Sequence, residues 1–236
     1  ISISGPTFLA IHLTLAHWPY TWSGQASPET LPENRLAYRD AVEAVDAQFD
    51  EVVRILERKG VLDNAMVIVL SDHGEALGYP GDTIMRKTGT ADEIWNSIWG
   101  HGTSVLSPHQ YGVLLAARAF GRARLPGTAG LHDWPVSLED VRPTLEEFAT
   151  GRAPAGVDGV SLLPYLAGTA DPETLGSRLR YTETCFNTPK MMAGRIETSG
   201  VVTEALAYYE LVPETGWVQL RPDRLPELMA KKKRAV

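Results

Sequence analysis

Apolar positions along the chain follow two different periods, and the switches between them mark the elements. Residues 7–16, TFLAIHLTLA, are apolar and rich in β-branched residues, and they read as a buried strand. Residues 17–34, HWPYTWSGQASPETLPEN, are rich in Pro and Ser and read as a loop. The period then becomes helical. Val42, Val45, Phe49, Val52 and Leu56 share one face, Glu and Arg occupy the other, and Gly60 supplies a stop. This predicts a helix over 34–59. A second apolar run at 65–71 has no alternation, as expected of a parallel strand covered on both faces. Strand, helix and strand in this order predict a βαβ unit with a right-handed crossover.

After that unit the pattern breaks. Residues 75–104 hold five glycines and no sustained period, and a loop of that length in a compact domain is usually functional or disordered. YGVLLAARAF (111–120) reads as another buried strand. SLEDVRPTLEEFAT (137–150) has a Ser at the N-cap, acids in its first turns and apolar Val141, Leu145 and Phe148, so a helix is expected. GVSLLPYLAG (159–168) reads as a short helical turn. From about 175, RLRYTETC, EALAYYELV and GWVQLRP read as strands or a short helix, and no motif there carries chemistry. No internal repeat or low-complexity tract is visible. The fold class expected from this order is α/β.

Composition narrows the function more than the fold. With 236 residues, 44% hydrophobic and 22% charged, the chain suits one α/β domain, or one domain with an extension. A net charge of -7 lacks the basic footprint of a nucleic-acid binder. The single basic run, KKKR at 231–234, reads as a solvated helix face or a tail. The one cysteine, Cys185, excludes an intrachain disulfide and sits in no metal or redox spacing. No apolar stretch reaches the 18 residues that would span a bilayer, and no signal peptide is visible. A start at Ile1 inside a strand-like run, and a stop after KKKRAV, suggest a piece of a longer protein.

Candidate chemistry lies where the second apolar run ends, in VIVLSDHGEALG (67–78). Ligands in open α/β sheets bind at the carboxyl ends of strands. Asp72 and His73 stand there, followed by Gly74, which permits unusual backbone angles. A carboxylate and an imidazole suit Zn²⁺ or a similar first-row metal, but an ordinary polar turn fits the same dipeptide. His17 ends the first run and is followed by Trp18-Pro19-Tyr20. Were the two strands parallel, His17 and the Asp72–His73 pair would share one sheet edge. His12, inside the first run, is either a core histidine or a site residue. His101, between two glycines in WGHGTS, fits either a close ligand approach or a flexible turn. His109 and His132 sit in Pro-adjacent polar segments and read as surface residues.

Four stretches in order carry a resemblance: FLAIHLTLAHWPY, then YRDAVEAVDAQFDEVVRILERKGVLDNAMVIVLSDHGEALG, then WGHGTSVLSPHQYGVLLAAR, then LEDVRPTLEEFATGRAPAGVDGVSLLPYL. Over residues 7 to about 167 the chain resembles the C-terminal part of the catalytic domain in the alkaline phosphatase superfamily, in its sulfatase-like branch. The resemblance implies a three-layer α/β/α sandwich with a mostly parallel sheet, present as a partial domain. Residues 1–170 would belong to that domain, and 171–236 would form an extension packed on it.

What the resemblance implies carries over by position. Asp72 and His73 match the adjacent pair that binds the catalytic divalent metal, whether Zn, Ca, Mg or Mn. His17 matches a histidine that lines the site, touching substrate or a second metal. His101 matches the HG histidine found after the metal pair in the phosphoethanolamine transferase branch. HLTLAHWP has that branch's two-histidine spacing, which brings His12 in as a substrate-binding candidate. Familiar sulfatases often have Asp-Asn at the pair and a lysine further on. Here the pair is Asp-His, and Lys87 is a loose candidate for the lysine. The departure favours phosphate chemistry without excluding sulfate.

The family's nucleophile, a Thr, a Ser or a formylglycine, lies upstream of these stretches with a further acidic ligand, and no such motif occurs here. The expected protein is therefore a metal-dependent sulfatase-like hydrolase that cleaves sulfate or phosphate esters through a covalent intermediate, with His17 and His101 as catalytic or substrate-binding groups. One alternative is a phosphoethanolamine- or phosphoglycerol-type transferase acting on envelope lipid or glycan. Another is a sulfatase-like binding domain without turnover. Expected partners are a small-molecule, lipid or glycan ester and the upstream half of the same domain, with no nucleic acid. The resemblance also implies an extracytoplasmic location, with membrane anchoring of the intact protein possible.

Overall fold

A computed structural model describes residues 5–21, 26–79, 82, 85–88, 91–94, 99–101, 108–176, 178, 209–212, 217–220 and 226. The chain divides into two compact units, Ile1–Asp72 with Leu114–Arg178, and His73–Val113 with Leu179–Val236. Cys185, the basic run at 231–234 and the side chain of Lys87 lie outside the described residues.

In the first unit the long helix α1 spans Leu31–Arg58. It starts three residues before the apolar stripe predicts, because Thr30 and Glu33 form a reciprocal capping box. Glu33 N–H donates to Thr30 Oγ1 (3.4 Å), and Thr30 N–H donates to Glu33 Oε2 (3.0 Å). Pro32 fits the first turn, where no intrahelical donor is needed. Glu29 N–H also donates to Glu33 Oε2. Val45, Phe49, Val52 and Leu56 are half-buried as the stripe implies, while Val42 is exposed. The loop before the helix is pinned by Tyr20, which is buried and packs edge-to-face on Tyr38 at 5.4 Å. Tyr20 has φ 63. A left-handed non-glycine residue costs about 1–2 kcal/mol, which an aromatic pair of this kind, at about 0.5–1.5 kcal/mol, largely offsets.

Strand β1 covers Asn64–Leu70, matching the second apolar run. Its partner is the later strand of the same unit, Leu115–Gly121, in antiparallel register from Asn64↔Gly121 to Leu70↔Leu115. Two expectations are thereby corrected. Residues 7–14 have no regular secondary structure and join no ladder among the described residues, and Phe8, Leu9 and Ile11 are exposed at 77%, 53% and 50%. No βαβ unit forms from them. All four strand pairings among the described residues are antiparallel, not parallel. The physical reason is that an unbroken apolar run reports two-sided burial, whereas strand direction is set by which segment supplies the ladder partner.

One face of this pair, through Met66, Ile68, Leu115 and Ala117, looks onto Val141, Leu162, Leu163 and Leu166 across an apolar cavity of about 40 Å³. Val141 opens helix Val141–Thr150, entered through a 3₁₀ turn at Leu138–Asp140, so the predicted helix at 137–150 is present with a tighter first turn. Leu163–Leu166 is the short helical turn predicted in GVSLLPYLAG. Asp140 joins these pieces. It is fully buried and accepts four hydrogen bonds: from Ser137 N–H (2.8 Å), Val160 N–H (2.8 Å) and both terminal nitrogens of Arg178 (2.6 and 2.7 Å). Thr144 adds a bridge, donating to the Asp140 carbonyl (2.6 Å) and accepting from Leu162 N–H (2.9 Å). Burial alone pushes the Asp140 carboxyl up. The Arg178 hydrogen bonds, the two backbone donors and the guanidinium charge outweigh it and hold the carboxyl below its ordinary value.

The second unit is built of short pieces. Strand β2, Ala76–Leu77, pairs antiparallel with Trp99–Gly100, in the register Ala76↔Gly100 and Leu77↔Trp99. Met85–Thr88 and Ala91–Ile94 form one hairpin, and Tyr209–Val212 and Trp217–Leu220 form another. The turn after β2 is closed by buried Asp82, whose Oδ2 accepts from Leu77 N–H (3.0 Å) and Tyr79 N–H (2.8 Å).

Candidate metal centre

The β1 ladder extends one residue past the strand. Ser71 N–H donates to the Leu114 carbonyl, and Leu114 N–H donates to Ser71 Oγ, each at 3.2 Å. The chain then turns through Asp72, which is exposed, to His73, which is half-buried. Gly74 is held against the short helix Pro108–Tyr111 by its N–H on the Gln110 carbonyl (2.7 Å). A Cβ at position 74 would fall on the His109 carbonyl oxygen, so only glycine permits this approach. The glycine of SDHG thus serves backbone packing beside the candidate ligands.

The β2 register supplies the next step. Ala76 pairs with Gly100, so continuing the antiparallel register by one residue sets Glu75 opposite His101. Gly100 has φ 93, a backbone conformation that favours glycine, and this turns the chain at His101. His101 Nδ1 lies 3.2 Å from Glu75 Oε2. The His101 ring stacks on His73, with centroids 4.3 Å apart and planes at 27°. His73 Nδ1 lies 2.9 Å from the Gly74 carbonyl. A carbonyl only accepts, so Nδ1 carries the proton and the neutral ring has its lone pair on Nε2.

His73, Glu75 and His101 each offer a ligating atom, and these atoms all lie within 4.8 Å of one another. The Glu75 side chain is 5% exposed and that of His101 27%. Glu75 Oε1 is buried with no hydrogen-bond partner. Two imidazoles and a carboxylate are the donor set that Zn²⁺ and other borderline metals take. An unpartnered buried carboxylate oxygen costs about 1–3 kcal/mol unless something binds it. Both observations fit a divalent cation bound at His73 beside this carboxylate, and neither selects its identity.

The candidates named from the sequence divide on this geometry. His73 and His101 come together. Asp72 adjoins His73 in the chain but is outside the three-residue group. His17 is exposed in a turn, with Nδ1 2.6 Å from the Trp18 carbonyl, and His12 is exposed on the irregular segment before it. His109 is exposed, with its ring 6.1 Å from that of Tyr79, and His132 stacks on Trp134 at 4.0 Å. Both behave as surface histidines with aromatic neighbours. Glu75 was missed. It stands inside the quoted SDHGE motif, but only the β2 register shows that it faces His101.

Comparisons with known proteins follow the same region. The Sulfatase family matches residues 2–113. Over 149 residues the chain is 29% identical to a choline-sulfatase of Rhizobium meliloti (strain 1021), covering 61% of this chain and 24% of that protein. Over 164 residues it is 30% identical to the steryl-sulfatase of Rattus norvegicus, covering 67% of this chain and 25% of that protein. The chain therefore spans about a quarter of the length of these relatives. Among solved structures it is similar to the phosphonate monoester hydrolase SpPMH from Silicibacter pomeroyi, with a TM-score of 0.44 and 24% identity, over 73% of this chain and 30% of that one.

Proposed function

Because the chain belongs to the alkaline phosphatase superfamily, in its sulfatase-like branch, we propose that it carries part of the metal centre of an ester hydrolase. The observation behind this reading is the stacked His73–His101 pair with a buried carboxylate, at the exit of β1. In the proposal Asp72 and His73 hold a divalent metal. When bound, such a metal lowers the pKa of a nucleophile and polarises the ester oxygen. His73 offers Nε2, because the Gly74 carbonyl occupies Nδ1–H. His101 gives or takes a proton at Nε2, serving the leaving-group oxygen. His17 and His12 are proposed to line the substrate. The nucleophile that forms the covalent intermediate corresponds to no motif in these residues.

The substrate class follows the relatives' names, choline-sulfatase and steryl-sulfatase, which favour a sulfate ester of a small organic molecule. Phosphate esters belong to the same proposal, because a tetrahedral oxyanion with a comparable leaving group makes the same demands on metal and imidazole. An extracytoplasmic location is proposed with it. No helix among the described residues is long and apolar enough to cross a membrane.

The test uses the intact protein with aryl sulfate and aryl phosphate substrates, before and after metal chelation and re-addition. Chelator-sensitive hydrolysis of either ester without any added acceptor supports the reading. Turnover that appears only with a sugar or lipid acceptor replaces it with the transferase reading. Binding without turnover at any metal loading replaces it with a binding domain.

A further inference from the structure

We infer that Glu75 is a positioning residue for His101: its carboxylate accepts a hydrogen bond from Nδ1–H and so keeps the imidazole lone pair on Nε2. This deepens the proposed function and rests on it only in giving His101 a role at the reacting ester. The hydrogen-bond relation itself stands on the geometry alone.

Four observations carry it. Glu75 Oε2 meets His101 at Nδ1, not Nε2, at 3.2 Å. A carboxylate has no proton to give, so the nitrogen facing it must be the donor. The His73 ring stacks on a face of the same imidazole at 4.3 Å, and the Glu75 contact lies at its edge. The carboxylate itself is 5% exposed, with Oε1 unpartnered, so it is poorly used for stability. A leucine of similar size would carry no such desolvation cost. The position is also imposed by the fold, since the Ala76↔Gly100 pairing sets residues 75 and 101 face to face. Carboxylates that hold the far nitrogen of a metal-bound histidine fix its tautomer and ring plane, and their loss typically costs about 10–100-fold in metal affinity or activity; a histidine serving the ester oxygen makes the same demand on its partner.

The experiment compares the intact protein with its Glu75→Gln and Glu75→Leu variants on three readouts. Nitrogen-15 spectra of labelled histidines in metal-free protein, assigned by comparison with His101→Ala, are expected to show Nδ1 protonated and Nε2 bare at His101. Glu75→Gln keeps that tautomer, since its amide oxygen still accepts, and Glu75→Leu shifts it towards Nε2–H. Metal stoichiometry is unchanged in both variants. The kcat falls about 10–100-fold in Glu75→Leu with KM little changed, and Glu75→Gln restores most of it. Loss of metal in both variants would make Glu75 a ligand and overturn the inference. An unaltered His101 tautomer in Glu75→Leu would overturn it as well, and this holds even if that variant is inactive. A full-rate His101→Ala enzyme would instead sink the proposed role of His101, while the tautomer result would still decide the hydrogen bond. Should Glu75→Leu fail to fold, Glu75→Gln decides: retained tautomer, metal and rate support positioning, and lost metal refutes it.

Discussion

Two buried carboxylates of this protein are used in opposite ways. Asp140, in the first unit, is fully buried and has both oxygens saturated, each accepting one backbone N–H and one nitrogen of Arg178. Glu75, in the second unit, is nearly as buried, but among the described residues it has an imidazole edge at one oxygen and no partner at the other. A charge taken out of water costs several kcal/mol, and only well-aligned donors offset it. Asp140 meets that demand locally, so its work is to hold the helix at 141–150, the segment around Val160 and the chain near Arg178 together. Glu75 does not meet it locally. A carboxylate this short of donors, beside two stacked imidazoles, contributes little to holding the fold together.

Breaking the two groups should therefore give different kinds of damage. The largest effect is expected at the ligand pair. His73→Ala or Asp72→Ala in the intact protein should remove most bound metal and nearly all turnover, with the fold retained. Metal analysis with unchanged stoichiometry in both variants would remove the pair from the metal site. Next comes Asp140→Ala, which strands Arg178. Losing one partner of a buried pair costs about 3–5 kcal/mol, and a domain of this size loses about 2–4 °C of Tm per kcal/mol. Thermal unfolding should thus drop on the order of 10 °C, and a shift of only a degree or two would end the contrast drawn above.

A smaller, pH-dependent effect follows from the lowered Asp140 carboxyl. A group with a depressed folded value stabilises the fold above its unfolded value and loses that contribution as pH falls through the folded one. The unfolded value is about 3.9. The stability gap between the natural protein and Asp140→Asn should be full at pH 7 and shrink below about pH 4. A gap that persists unchanged at pH 3 would show that the charge is not what stabilises. The smallest effect is expected for the stability of Glu75→Leu in metal-free protein. It should lie within about 1 kcal/mol of the natural protein or above it, because the unsatisfied oxygen disappears with the carboxylate. A loss of several kcal/mol in chemical denaturation would make Glu75 structural, like Asp140.

Much of the scaffold was legible because its causes are local. The stripe through Val45, Phe49, Val52 and Leu56 marks the buried face of α1, although the Thr30–Glu33 capping box starts the helix three residues before that stripe predicts. The apolar run at 65–71 is β1 almost to the residue. The segment at 7–16 looked equally strand-like and has no ladder partner among the described residues, because composition measures fitness for burial and not the presence of a neighbour. Chain direction failed for the same reason. The strand that pairs with β1 lies beyond the whole second unit's first segment, and its antiparallel approach leaves no trace in either run.

The candidate site shows the same division. His73 and His101 were visible as residue types in suggestive settings, and a family resemblance gave them roles. Their contact was not visible, and Glu75 was not noticed. By itself the sequence determined which segments can be helix or strand, and that an acid and an imidazole follow β1. These depend on interactions that reach about four residues along the chain. Only the tertiary structure decided that Glu75 faces His101, that His73 stacks on it, and that Asp140 is closed by Arg178, 38 residues away. Those contacts depend on strand register and on backbone packing at Gly74. Register is chosen by the summed fit of a whole pairing, which no single stretch of sequence contains.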